Sequence, residues 1–493
     1  MKRVNGLEYG AESWQFEAPD DSIVFEHPAP ERVHSPLSNP AEKLQEALQQ
    51  PIGMPPLDQL VDASSRVSIT MNDWMGGSLY AAPAVLDILR RAGVKDENIR
   101  MMVAGGTHAK VTRGELLASR LARWITGNKP PFPDACRILP AELVAQWSEG
   151  CERIERHDST DRSQLVNLGV SERGDLVEVN KILMESDLVI HLGWGPLPLS
   201  PFGGFLGTGL AIGLSSDRSI LPRHSPSQIN HPDSIAADPH RQLYQRHKLA
   251  VMDKIEKSVS AKIFYIDPFI NVDVQFAHGW WAGHWRELRE RQVAVASEEY
   301  VVKLPGSADI LVLGCPGYML HGETSNPMIA LTHVANTMRG YLPPNPVLRK
   351  GGVVIMTTPG DGHFDERYRP SDREVLGHYA RVNRNIDDLF DQYAEEFLTR
   401  EDLLYKYRHC YGFHPIHPFW ILSSTQYVLD HASKVIYAGA KESEMSRQLG
   451  ITVAPDLRTA WQMAVAETGP KPHVTVLPNS SKRLYVIFEI AKA

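Results

Sequence analysis

Two stretches decide the fold: Arg66-Val67-Ser68-Ile69-Thr70-Met71-Asn72-Asp73 and Ile99-Arg100-Met101-Met102-Val103-Ala104-Gly105-Gly106-Thr107-His108. Each is a short apolar run that breaks into a polar or glycine-rich loop, as a buried strand does. Between them, Ala82 to Ala92 places apolar residues at helical spacing and stops at Gly93, a residue suited to closing a helix. Strand, loop, helix, strand and glycine-rich loop form a βαβ unit, which predicts parallel strands. Open parallel sheets place their ligand crevices beyond the carboxyl ends of the strands. Asp73 and His108 both follow such ends.

Working outward, the alternation recurs. Residues 176–184 read as a helix, Asp187 to Leu192 as a strand, and Gly193 to Gly213 as a glycine-rich loop. Lys262 to Ile270 reads as a strand, and Phe276 to Arg291 as a helix rich in aromatic residues. A second series follows, with strands at 308–315, 352–357, 434–438 and 473–477 and helices at 327–341, 421–431 and 457–468. The first 60 residues are proline-rich and read as irregular, apart from a helix at Pro40 to Gln50. The chain is therefore expected to be α/β, with mostly parallel sheets. A length of 493 residues exceeds one ordinary core. The expected division is residues 1–275 and 276–493, with the last strand able to return to the first domain.

Composition narrows the function. The charged fraction is 22% and the net charge −8, with Lys and Arg scattered, which argues against nucleic acid or anionic lipid as partner. No run of 18 apolar residues occurs, and the first 30 residues hold acids and prolines, so neither a membrane span nor a secretory signal is expected. The four cysteines are far apart, which disfavours a thiolate zinc site and fits reduced thiols in the cytoplasm.

Twenty histidines make imidazole the natural place to look for chemistry. His108, after two glycines and a threonine, is a candidate acid/base residue, and equally a candidate helix cap. Asp73 can orient an imidazole or bind a hydroxyl, though an Asx-turn serves as well. His224, His231, His240 and His247 crowd one proline-rich stretch, Arg218 to His247, which reads as a long loop or lid. Their spacing follows no metal-ligand pattern. Gly203 to Gly209 could cradle phosphate or carboxylate, but it is neither a P-loop nor a dinucleotide fingerprint, and a tight structural loop accounts for it more simply. A second group, His409, His414 and His417, carries no assignment. Trp280, Trp281 and Trp285 read as domain-interface core.

Taken together, these pieces resemble the nickel-dependent lactate racemases. The resemblance rests on Leu7-Glu8-Tyr9-Gly10, Pro51 to Leu57, Asn72-Asp73, Ala92 to Ile99, Gly106-Thr107-His108, His157-Asp158, Arg173-Gly174, Val179-Asn180 and Asp187 to Ile190. It continues in order through Ala308-Asp309-Ile310, Gly351-Gly352-Val353, Gly450 to Pro455 and Val476-Leu477-Pro478. The resemblance implies two α/β domains with the active site in the cleft between them. It also implies racemisation of α-hydroxy acids by hydride transfer, on a nickel pincer nucleotide joined to a lysine. His108 matches the first catalytic histidine, Asp73 the aspartate of the Asp-x-x-Arg loop, and Asn230-His231 the histidine that holds nickel. Gly204, Gly207 and Gly209 stand as the cofactor cradle.

Other positions depart from the family. Gly76 stands for the arginine, Ser200 for the second catalytic histidine and Leu210 for the tethering lysine. No lysine occurs between Lys181 and Lys248, and Leu331 and Thr332 fall near the later substrate-contacting Gln and Lys. Covalent attachment is therefore not expected. The expected activity is that of a racemase or epimerase of a small α-hydroxy acid or sugar acid, an isomerase with a carboxylate substrate. The alternatives are a proton-abstracting or lyase-type enzyme without the pincer, in which His191 could also take part, and a non-catalytic binding relative.

Overall fold

The computed structural model describes residues 2–25, 39–72, 81–109, 154–193, 209–235, 242–270, 276–299, 301–319, 321–339, 346–410, 412–479 and 487–490. Two sheets organise them, and most neighbouring strands run parallel. The first sheet has six strands, in the order Phe276–His284, Lys262–Ile270, Leu188–Leu192, Val67–Asn72, Ile99–Ala104 and Ile154–Arg156. Only the pairing of 262–270 with 276–284 is antiparallel. From the central strand Val67–Asn72 the chain builds outward first to one side and then to the other. The carboxyl ends of 67–72, 99–104 and 188–192 thus meet at a switch point, where such sheets open a crevice. Every residue of 67–72 and 188–192 is buried, as strands covered on both faces require.

The second sheet has eight strands. Its main path is Thr452–Ala454, Lys434–Ala438, Leu348–Thr357, Ala308–Pro316, Lys2–Gly10 and Glu12–Ala18, with Val474–Leu477 and Ile23–Val24 joined alongside. Helices Pro327–Arg339 and His417–His431 pack on it through Met328, Leu331, Phe419 and Leu422, all buried in one apolar cluster.

The expected strands at 99–104, 262–270 and 434–438 and the helix at 457–468 stand where the spacing put them. Five expectations need correction. Residues 176–184 are a strand, Leu176–Asn180, and a short helix, Ile182–Glu185. Val177 and Val179 alternate inward, with period two, and the strand pairs with Leu165–Val170. Phe276–His284 is a strand and the helix begins only at Trp285. Gly279 and Gly283 have φ of +106° and +140°, which a helix excludes.

The described residues of the stretch Arg218 to His247 are mostly helical, with Asp217–Arg223, Pro226–Ile229 and the start of Leu243–Ser258. Finally, a boundary at 275 would cut the 262–270/276–284 pair. The N-terminal strands, read as irregular, form a hairpin that joins the second sheet through Tyr9 opposite Cys315. The last described strand, Ile487–Ile490, pairs with Val301–Leu304. Trp281 packs partly buried against the cores of both halves, as expected of interface core, while Trp285 is buried in the first.

Candidate active site

His108 sits where the strand Ile99–Ala104 ends, and its loop is fixed from both sides. Gly106 takes φ +54°, its N–H donates to the Gly213 carbonyl at 3.0 Å, and a Cβ there would lie 3.1 Å from the Ile212 carbonyl oxygen. Glycine is therefore required at this turn. The His108 N–H closes the turn on Gly105 O at 2.9 Å. From the second half of the chain, the Tyr407 hydroxyl donates to Gly106 O at 2.9 Å and the His414 N–H to Thr107 O at 3.1 Å.

That clamp brings three histidines together. One ring nitrogen from each of His108, His321 and His417 lies within 4.8 Å of the others. The His108 ring is 5.5 Å, centroid to centroid, from both His321 and His417, and those two are 5.1 Å apart. Phe413 walls one side, 4.4 Å from the His417 ring, and Trp420 the other, 4.7 Å from His321. His224 stands behind Trp420. Its Nδ1–H donates to Ile220 O, so its Nε2 accepts from the Tyr244 hydroxyl at 2.9 Å.

Burial governs the electrostatics. It holds His321 and His417 neutral, well below the ordinary imidazole range, with the neighbouring His108 adding to the effect on His321 and Arg369 on His417. Burial likewise pushes His224 down to about 3. Arg369 is buried. Its Nε donates to Asp372 Oδ2 at 2.9 Å, and that oxygen also accepts from Asn326 Nδ2 at 2.6 Å. The guanidinium lies over the Phe413 ring at 4.6 Å. Its Nη1 is 2.9 Å from His417 Nδ1. Arginine can only donate, so Nδ1 of His417 accepts and the ring proton sits on Nε2. That Nε2, like His321 Nδ1, is buried with no hydrogen-bond partner among the described residues.

Three imidazoles are a plausible ligand set for a transition metal. Here the fit fails at His417: one ring nitrogen accepts from Arg369, the other carries a proton, and a fixed cation adjoins the ring. No metal step is derived through this cluster.

The other candidates fall elsewhere. Asp73, Gly204, Gly207, Gly76, Ser200 and His240 lie outside the described residues. Gly209 abuts His191, and a Cβ there would meet His191 Nε2 at 2.3 Å, so the glycine makes room for that ring. His191 is fully buried, with Nδ1 2.9 Å from the Thr70 hydroxyl. Leu210 is fully buried in one apolar cluster with Val177, Leu214 and Val251. Leu331 and Thr332 are buried on the helix Pro327–Arg339.

His231 is exposed, its Nδ1 accepting from the Asp233 N–H at 3.1 Å, and it is not among the three clustered histidines. His247 pairs with Asp175 at 2.8 Å, and His409 is exposed. Of the unassigned group, His414 faces Asp217 at 3.4 Å and His417 enters the site. His321 and Arg369 were not singled out by the sequence. Each lies in a loop with no spacing pattern, and only the fold brings them to His108.

Residues 9–123 and 133–236 match the lactate racemase N-terminal domain model. The chain is 22% identical to lactate racemase of Thermoanaerobacterium thermosaccharolyticum, over 96% of this chain and 97% of that one. It is 23% identical to the enzyme of the same name from Lactiplantibacillus plantarum, over 90% and 91%. The structure of the lactate racemase apoprotein from T. thermosaccharolyticum superposes over 99% of this chain and all of that one, with TM-score 0.69 and 18% identity. A Thermotoga maritima protein matches with TM-score 0.55 and 14% identity, over 93% of this chain and all of that one. The chain is thus similar to lactate racemases along almost its whole length and shares their fold. Its class is accordingly that of an isomerase. Within the lactate racemase fold, the loop Gly105–His108 falls in the part that the N-terminal domain model covers, whereas His321 and His417 lie beyond it. No helix among the described residues is long and apolar enough to cross a membrane.

Proposed function

We propose that this protein racemises or epimerises a small α-hydroxy carboxylate, lactate being the first substrate to test, with His108 as the acid/base residue. The observation that carries this is the meeting of His108, at the carboxyl edge of the first sheet, with His321 and His417 from the second half. An imidazole at such a place can accept a proton from a substrate hydroxyl and return it. Asp73, the residue after Asn72 on the adjacent strand, is assigned to orient an imidazole or hold the hydroxyl.

For a nickel pincer nucleotide, Gly204, Gly207 and Gly209 are the proposed cradle and His231 the proposed nickel ligand. Such a group would supply hydride transfer at the α-carbon. Leu210 offers no amine, so any such cofactor would be held without a covalent bond.

Purified protein incubated with one lactate enantiomer should yield the other by chiral chromatography, and His108→Ala should lower the rate at least a hundredfold, the usual scale of acid/base catalysis. Unchanged turnover in that variant removes His108 from its role. Metal analysis and intact-mass measurement test the cofactor. Nickel near one per chain with an unmodified mass agrees with non-covalent binding, and active, metal-free protein excludes nickel.

A further inference from the structure

The geometry points to Arg369 as the positioning residue that fixes His417 as the Nε2–H tautomer, making His417 a hydrogen-bond donor within the three-histidine site instead of a metal ligand. Three observations converge. Arg369 Nη1 lies 2.9 Å from His417 Nδ1, and a guanidinium has no lone pair to offer, so the direction of that bond is settled. Arg369 is itself held on a second edge by Asp372, which Asn326 steadies, and its face is held by Phe413, so it is fixed in place. The remaining nitrogen of His417 is buried and has no partner among the described residues.

A buried N–H without an acceptor is destabilising, because it has lost its bond to water and gained none in return. A ligand oxygen that accepts from it removes that cost. The chemistry to expect is the hydroxyl or carboxylate oxygen of a small hydroxy acid. Metal coordination at Nε2 would require that proton to leave while Nδ1 still accepts from a cation. The charged and titratable groups facing His417 are Arg369, His321, His108 and His224, with Asp372 beyond Arg369.

The catalytic meaning of this assignment rests on the proposed racemase activity, but its test does not. In protein labelled with 15N-histidine, the His417 ring, identified by its loss in His417→Gln, should show a protonated Nε2 and a bare Nδ1. Arg369→Lys, which keeps a cationic donor, should keep that pattern. Arg369→Met/Asp372→Asn, which removes the donor without stranding a buried carboxylate, should release it. Ni2+ alone should then bind the double variant at least tenfold more tightly than the wild type, a gain that adding His417→Gln abolishes. A wild-type Nδ1–H tautomer, an unchanged tautomer in the double variant, or wild-type Ni2+ binding lost in His417→Gln each overturn the assignment. Protein that shows the Nε2–H tautomer yet racemises nothing keeps this assignment and removes the proposed activity instead.

Discussion

Single residues set the site more than any general property of the cleft. Gly106 is the plainest case. Its left-handed backbone costs an ordinary residue about 1–2 kcal/mol, and a side chain there would press on the Ile212 carbonyl. Gly106→Ala should lower the unfolding free energy by about that amount, measured by urea denaturation, and should misplace His108. Unchanged stability would show that the turn relaxes. His108 and Asp73 could be picked out at this scale because strand ends are visible in one sequence. Arg369 could not, because its importance comes from a bond to a residue 48 positions away.

At the scale of elements, the connection between helices Glu401–His409 and His417–His431 holds the His108 loop from outside. Tyr407 makes the main tie, and its hydroxyl also lies 3.1 Å from Ser159 Oγ. Tyr407→Phe should cost about 1 kcal/mol, the usual net value of such a bond, and should reduce turnover by more than it reduces stability. Tyr405→Phe, at an exposed position on the same helix, should change neither. Kinetics and denaturation of the two variants separate positioning from simple stabilisation. Elements with pure periodicity were legible in the sequence, as at 99–104 and 457–468. Phe276–His284 was not, because its aromatic residues and glycines fit neither period. Its strand character comes from pairing with Lys262–Ile270 and from the bridge between Gly283 and Ile52.

Across the molecule, neutral buried histidines couple folding to pH. Burial pushes His191 down to about 3, against an ordinary value near 6.5 in the unfolded chain. Its contribution is complete above about pH 6.5 and is lost as pH falls towards 3, because the unfolded chain gains the proton first. At pH 5 the loss is on the order of 2 kcal/mol for one such histidine. Denaturation at pH 7.5 and 5 should show a marked fall in stability, and His191→Gln should make the fall shallower. A stability that is flat or rises toward acid would contradict this.

The second sheet also depends on chain ends far apart in sequence. Its hairpin Lys2–Ala18 leaves the ribosome well before its parallel neighbour, Ala308–Pro316, which follows roughly three hundred residues later. At about 5–20 residues per second the hairpin waits on the order of tens of seconds for a partner. During that interval it is an exposed edge, open to chaperones or to wrong pairing. Expressed from residue 276 onward, the second half would lack three strands of its sheet, Lys2–Gly10, Glu12–Ala18 and Ile23–Val24, and supplying residues 1–25 as a separate peptide should improve its yield of folded protein.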